Sequence, residues 1–217
     1  MAIKSEKIKE LLDIYNFIKS DIKSRLDEFK ETRANADDKN IFKELAFCIL
    51  TSGVGPVMAE KSVKAMGDNI HTGDISELTE TIKNIHKYPD KASYLVTTRE
   101  YLKTNFNYAL LTHIKKIEDR VVRRDFIAGN KSVKGIGMVQ ASHFLRNIGF
   151  FGYAILDRNI LSSLSELGVL NDNKPPSTRN KYLEKENLII DFSDKLSISI
   201  DELDLLLWYR KNNKIPR

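Results

Sequence analysis

The amino-acid sequence predicts an all-α protein. Apolar residues recur at three- and four-residue steps through most of the 217 residues, residues that start and stop helices punctuate those runs, and only one short alternating segment resembles a strand. A chain of this length can bury a substantial core. With no internal repeat, low-complexity tract or composition break, it would fit one globular unit or two interleaved lobes over 1–217.

Ile8, Leu11, Leu12, Tyr15, Ile18, Ile22, Leu26 and Phe29 fall along one face of a long first helix. A second helix runs from about Asn40 to Thr51 and stops at Ser52-Gly53. Pro56 suits the first turn of a third, Val57–Met66, which Gly67 ends. Helical patterns follow at about 75–85, 90–102 and 110–128. Beyond Gly137 come a helix near 138–147 and another from Asp157 to Leu167 that Gly168 can terminate. Asn171-Asp-Asn-Lys-Pro-Pro-Ser177 is a polar loop, and Thr178 can cap the helix after it. Ser199-Ile-Asp-Glu202 has capping-box spacing and starts a final helix through Leu203-Asp-Leu-Leu-Leu-Trp-Tyr209. The alternating stretch Leu196–Ile200 is read as a connecting turn, because a strand without a partner cannot satisfy its backbone.

Composition narrows the function classes. The single cysteine, Cys48, lies in an apolar run and reads as a packed thiol, so no disulfide framework, zinc site or four-cysteine cluster can be built. His71, His86, His113 and His143 lack metal-ligand spacing, and no metal or other cofactor is expected. Charges at Lys4, Glu6, Lys7, Lys9 and Glu10 interrupt any signal-peptide core, and no segment approaches membrane-spanning length. The expectation is an intracellular protein, in cytoplasm or nucleoid, with no membrane partner. Thirty-five Lys and Arg against 30 Asp and Glu leave a net charge of +5. That modest excess permits a polyanion partner, provided that local positive potential and oriented amides supply the binding.

Lys134-Gly-Ile-Gly-Met-Val-Gln-Ala-Ser-His143 is the most informative segment. Two glycines at i and i+2 between helical stretches form a hairpin whose amides can approach an anion closely, since no Cβ intervenes. On the hairpin alone, a DNA-phosphate clamp and an ordinary helix–helix turn with a solvated lysine are equal readings. Asp157 follows twenty positions after Gly137, at the start of an apolar segment, where it also suits a helix N-cap. The cluster Arg120-Val-Val-Arg-Arg124 reads as a solvated helix face, and His143 as a packed residue.

With these residues the chain resembles the helix-hairpin-helix superfamily of DNA glycosylases, and within it the compact archaeal-type 8-oxoguanine DNA glycosylase/lyases. The likeness covers most of the chain. It rests on Phe42-Lys-Glu-Leu-Ala-Phe-Cys-Ile-Leu-Thr51, Tyr88-Pro-Asp-Lys-Ala-Ser-Tyr-Leu-Val96, Lys134-Gly-Ile-Gly137, Ala141-Ser-His-Phe-Leu-Arg-Asn147, Ala154-Ile-Leu-Asp-Arg158 and Glu202-Leu-Asp-Leu-Leu-Leu-Trp-Tyr209. The resemblance implies a two-lobed helix-hairpin-helix glycosylase fold with a DNA-binding cleft between the lobes. Within it, 128–149 would be the helix-hairpin-helix, 154–168 the helix starting near the catalytic Asp, and 199–217 the C-terminal helix and tail near the base pocket. It further implies a monomer that binds double-stranded DNA containing a damaged base and flips the nucleotide out of the stack. Lys134, Gly135, Ile136, Gly137, Met138 and Gln140 would contact DNA, and Asp157 would be the essential carboxylate. Trp208, Asp204 and Arg217 would line or adjoin the base pocket, although Trp208 fits a core position equally well.

Three departures separate the chain from that pattern. Val139 occupies the position of the Schiff-base lysine of bifunctional members, and valine has no nucleophilic atom. Asn159 stands where a histidine is common, and cannot become cationic. Thr51-Ser-Gly-Val-Gly-Pro56 differs from the stretch that in relatives contacts the strand opposite the lesion. The expectation is therefore a base-excision glycosylase that removes a damaged purine, 8-oxoguanine first, by Asp-assisted hydrolysis with little or no AP-lyase activity. Two alternatives stay open: a bifunctional glycosylase/lyase in which Val139 is an inactivating substitution or another lysine serves, and a non-catalytic damage-recognising DNA-binding protein.

Overall fold

The computed structural model describes residues 5–86 and 90–216. Eleven α-helices and one 3-10 turn make up its regular structure, with no strand among the described residues. Contacts divide the chain into two compact units, one formed by 32–148 and the other by 1–31 together with 149–217.

In the discontinuous unit, α1 (Ser5–Asn35) runs out of that unit at its end and buries Leu11, Tyr15, Ile18, Ile22, Leu26 and Phe29. Their spacing of three and four is the apolar stripe read from the sequence. Helices α9 (Arg158–Leu167), α10 (Arg179–Leu196) and α11 (Ile200–Asn212) complete this unit, α11 packing against both α9 and α10. Local signals set their ends. Gly168 closes α9 in a left-handed conformation, Thr178 caps α10, and Ser199 with Glu202 forms a full capping box on α11. Residues 197–199 are a turn, with Ser197 left-handed at the end of α10. From α1, the Tyr15 hydroxyl donates to Glu202 at 3.1 Å, and burial followed by the nearby carboxylate pushes its pKa up to about 12.

The continuous unit is built round α2 (Asp38–Thr51), which buries every residue from Glu44 to Leu50. A helix apolar on nearly all sides belongs in a core, and α2 contacts α3 (Pro56–Met66), α5 (Asp90–Phe106), α6 (Leu110–Lys115) and α8 (Met138–Asn147). Pro56 takes the first position of α3 and Gly67 ends it, a 3-10 turn spans Gly67–His71, and α4 (Ile75–Ile82) opens with a capping box from Asp74. The helix expected over 75–85 therefore ends one turn early, at Ile82.

One expectation is corrected outright. The single helix read over 110–128 is two, α6 and α7 (Arg120–Ala128). Asp119 breaks the run: in extended conformation, its carboxylate accepts the amides of Val121 and Val122 at 2.8 Å each, as an N-cap does. The backbone bond from Val122, then burial in the opposite sense, then the backbone bond from Val121, leave its pKa lowered.

Candidate active site

The hairpin lies wholly in the continuous unit, between α7 and α8. Gly129 closes α7, and Asn130 folds back on itself, its side-chain oxygen accepting from Ser132 N at 2.9 Å while its amide donates to the Tyr101 hydroxyl at 2.8 Å. The Lys134 amide donates to Thr98 Oγ1 at 3.0 Å, so it is committed to the protein, whereas the Lys134 side chain is exposed. One face of α5, carrying Tyr94, Thr98 and Tyr101, thus holds the first limb of the hairpin.

The two glycines differ in kind. Gly135 has φ of +74°, and a Cβ there would lie 2.6 Å from a Tyr94 ring carbon, so both backbone and packing demand glycine. Gly137 has φ of −106°, open to any residue, and a Cβ would meet only Gln140 Oε1 at 3.6 Å. The protein itself gives no reason for glycine at 137. It is the N-cap of α8, exposed and without a side-chain cap, followed by half-exposed Met138, Val139 and Gln140. Their amides are of the kind left unsatisfied at a helix start. Ile136 is buried and turns its side chain inward.

The string after the hairpin explains itself through buried polar contacts. Ser142 accepts from Arg124 of α7 at 3.3 Å; the Asn147 amide donates to Glu44 of α2 at 2.7 Å; and Arg146 donates to Asn147 Oδ1 at 3.1 and 3.2 Å. His143 packs edge-on against Phe47 with ring centroids 5.9 Å apart. These contacts fasten α8 to its neighbours. They also correct the reading of the arginine cluster: Arg124 is fully buried, and Arg123 donates to the carbonyls of Ile117 and Glu118.

Asp157 lies in the discontinuous unit. It is half-exposed and caps α9, accepting from Ile160 N at 2.8 Å, so the N-cap geometry is realised. Val139 is the second residue of α8, and Asn159 the second of α9, half-exposed. Asp204 is buried on α11 and Trp208, one turn on, is half-exposed. Arg217 lies outside the described residues, as do Tyr88 and Pro89. Sequence reasoning missed what joins α9 to α11. Glu166 accepts from Ser162 at 3.0 Å, from Arg210 at 3.2 Å and from Lys211. The hydrogen bond from Lys211 chiefly holds the Glu166 carboxyl below its ordinary value, against the opposing effect of burial. Among the described residues no group of His, Cys, Asp or Glu gathers as metal ligands, and no helix is long and apolar enough to cross a membrane.

A family model described as 8-oxoguanine DNA glycosylase matches residues 22–198. The chain is similar to an 8-oxoguanine DNA glycosylase/AP lyase of Methanocaldococcus jannaschii, 36% identical over 211 residues that cover 96% of this chain and 98% of that protein. It is likewise 35% identical to one from Fusobacterium nucleatum, with 96% of each chain covered. Among solved structures, the Methanocaldococcus jannaschii 8-oxoguanine glycosylase/lyase in complex with a 15mer DNA containing 8-oxoguanine superposes with a TM-score of 0.88 at 34% identity, over 98% of this chain and 100% of that one. The 8-oxoguanine DNA glycosylase of Thermotoga maritima gives 0.86 at 29% identity, covering 98% and 99%.

Proposed function

Because the chain belongs to the 8-oxoguanine DNA glycosylase family, we propose that it removes 8-oxoguanine from double-stranded DNA by Asp157-assisted hydrolysis, with little or no AP-lyase activity. It would do so as an intracellular monomer of base excision repair. The observation that carries this reading is the pairing of a retained, half-exposed Asp157 with a valine at the second position of α8.

In this mechanism the hairpin binds backbone phosphate beside the lesion, through the amides of Gly135, Gly137 and Met138 to Gln140, with Lys134 adding positive charge. Phosphate contacts of this kind help offset the few kcal/mol, roughly, that extruding a base costs. Trp208 offers a π face to the extruded base, with Asp204 and Arg217 adjoining the pocket. The C1′–N9 bond then breaks with its electron pair passing to the purine, and the sugar acquires oxocarbenium character. The Asp157 carboxylate stabilises that charge and takes the proton of the water that bonds to C1′. Val139 can form no Schiff base, so the product is an abasic site in an unbroken strand.

Incubating the purified protein with an 8-oxoguanine duplex tests this. Strand breakage should appear only after alkali, and borohydride should trap no protein–DNA adduct. Breakage without alkali together with a trapped adduct would replace the hydrolytic reading with lysine chemistry. No alkali-labile product at all would favour a non-catalytic DNA-binding protein.

A further inference from the structure

Residues 150–157, which lead into Asp157, form no helix, yet Tyr153, Ala154, Ile155 and Leu156 are all buried. Buried irregular backbone must find partners for its amides and carbonyls. No strand among the described residues is there to pair with it, and side chains of α10 and α11 take that role. The Gly152 amide donates to both carboxylate oxygens of Asp201, at 3.2 and 2.9 Å. The Ala154 amide donates to Glu186 Oε1 at 3.0 Å. The Tyr182 hydroxyl donates to the Ala154 carbonyl at 2.6 Å and accepts, over a longer 3.4 Å, from the Leu156 amide. Tyr182 and Glu186 stand four residues apart on one face of α10, and all three partners are buried.

We propose that Tyr182, Glu186 and Asp201 are positioning residues for Asp157, holding the strap over 152–156 at the register that aims the carboxylate at the sugar. The inference rests on Asp157 being the catalytic carboxylate. Behind that residue α9 fixes it through the bond from Ile160; ahead of it the cradle holds the strap, together with the Asp157 amide's own bond to the Ile155 carbonyl at 2.8 Å. The Tyr182 oxygen bridges backbone groups on both sides of Ile155 within three residues of the carboxylate. Its removal leaves the ring packed but frees two backbone groups to seek other partners, so the strap shifts while the fold persists. A displacement of about 1 Å can slow a reaction about 100-fold. None of the three side chains is assigned a DNA contact, so duplex affinity is not expected to change.

Single-turnover base release from an 8-oxoguanine duplex, at saturating full-length protein, decides the matter when duplex Kd is measured alongside. Tyr182→Phe and Glu186→Leu should slow release roughly 10- to 100-fold with Kd within about twofold of the parent. Glu186→Gln keeps an acceptor for the Ala154 amide and should restore the rate. Parent rates in both Tyr182→Phe and Glu186→Leu, or losses that only follow weakened binding, would overturn the proposal. Should Glu186→Leu not fold, Tyr182→Phe decides alone. Asp157→Asn separates the two levels. If it releases base at the parent rate, the reading of the site fails and this inference with it. If it is inactive while the strap variants are not slowed, only the inference fails.

Discussion

Single residues carry the chemistry, and two neighbouring glycines show how role separates from structure. Gly135 is demanded by its left-handed backbone and by Tyr94, so Gly135→Ala should destabilise the fold by at least about 1–2 kcal/mol, the usual cost of that conformation for a residue with a Cβ. Gly137→Ala meets no such obstacle; urea unfolding should place it within about 1 kcal/mol of the parent, yet under the proposed phosphate clamp its duplex affinity should fall, because the new methyl would stand in the path of the phosphate. Parent-like DNA binding by a folded Gly137→Ala protein would remove the phosphate clamp. Under the proposed hydrolytic mechanism, Val139→Lys should supply a nucleophilic amine at this position, turning alkali-dependent breakage into direct cleavage and giving a borohydride-trapped adduct. The absence of any adduct would mean that this helix position does not face the sugar. The distinction between the glycines is invisible in the string Gly-Ile-Gly, because it depends on what stands beside each Cα.

At the scale of elements, helix ends were the most legible feature. Asp157, Thr178, Ser199 and Gly168 act through neighbours three or four residues away, so the local sequence contains the whole interaction. The split between α6 and α7 was missed because the apolar spacing continues across it, and only the capping by Asp119 interrupts the backbone. Contacts between distant helices were not legible either: Glu44 and Asn147 are 103 residues apart, and each alone looks like an ordinary polar helix residue. Asn147→Leu removes a donor to buried Glu44 and an acceptor for buried Arg146, and should cost about 1.5–3 kcal/mol in urea unfolding; no loss would mean that these side chains are satisfied without it. The α9–α11 clamp makes a pH prediction. The folded pKa of Glu166 is below its unfolded value, so its stabilisation is present above the ordinary carboxylate value and is lost as pH falls through the folded one. The carboxylate is partly exposed, which limits the effect to about 1 kcal/mol or less. Thermal melts of Glu166→Gln should lie below the parent at neutral pH and converge with it in acid. A constant gap across that range would show that the clamp acts through packing.

For the whole molecule, the all-helical class was legible because nearly every segment repeats the three-and-four spacing. The division into two units was less so, since the first helix joins partners more than a hundred residues later in the chain. Each unit carries a separate share of the assigned residues, the hairpin and Val139 in one, Asp157, Asp204 and Trp208 in the other. The central claim is that these residues release a base by hydrolysis and leave the strand whole. Mass spectrometry of a single-turnover reaction, reading free 8-oxoguanine and strand length together without alkali, tests it most directly. The account predicts one free base per duplex with the strand intact, and none from Asp157→Asn. Free base that appears only with strand cleavage, or equally from Asp157→Asn, would contradict it.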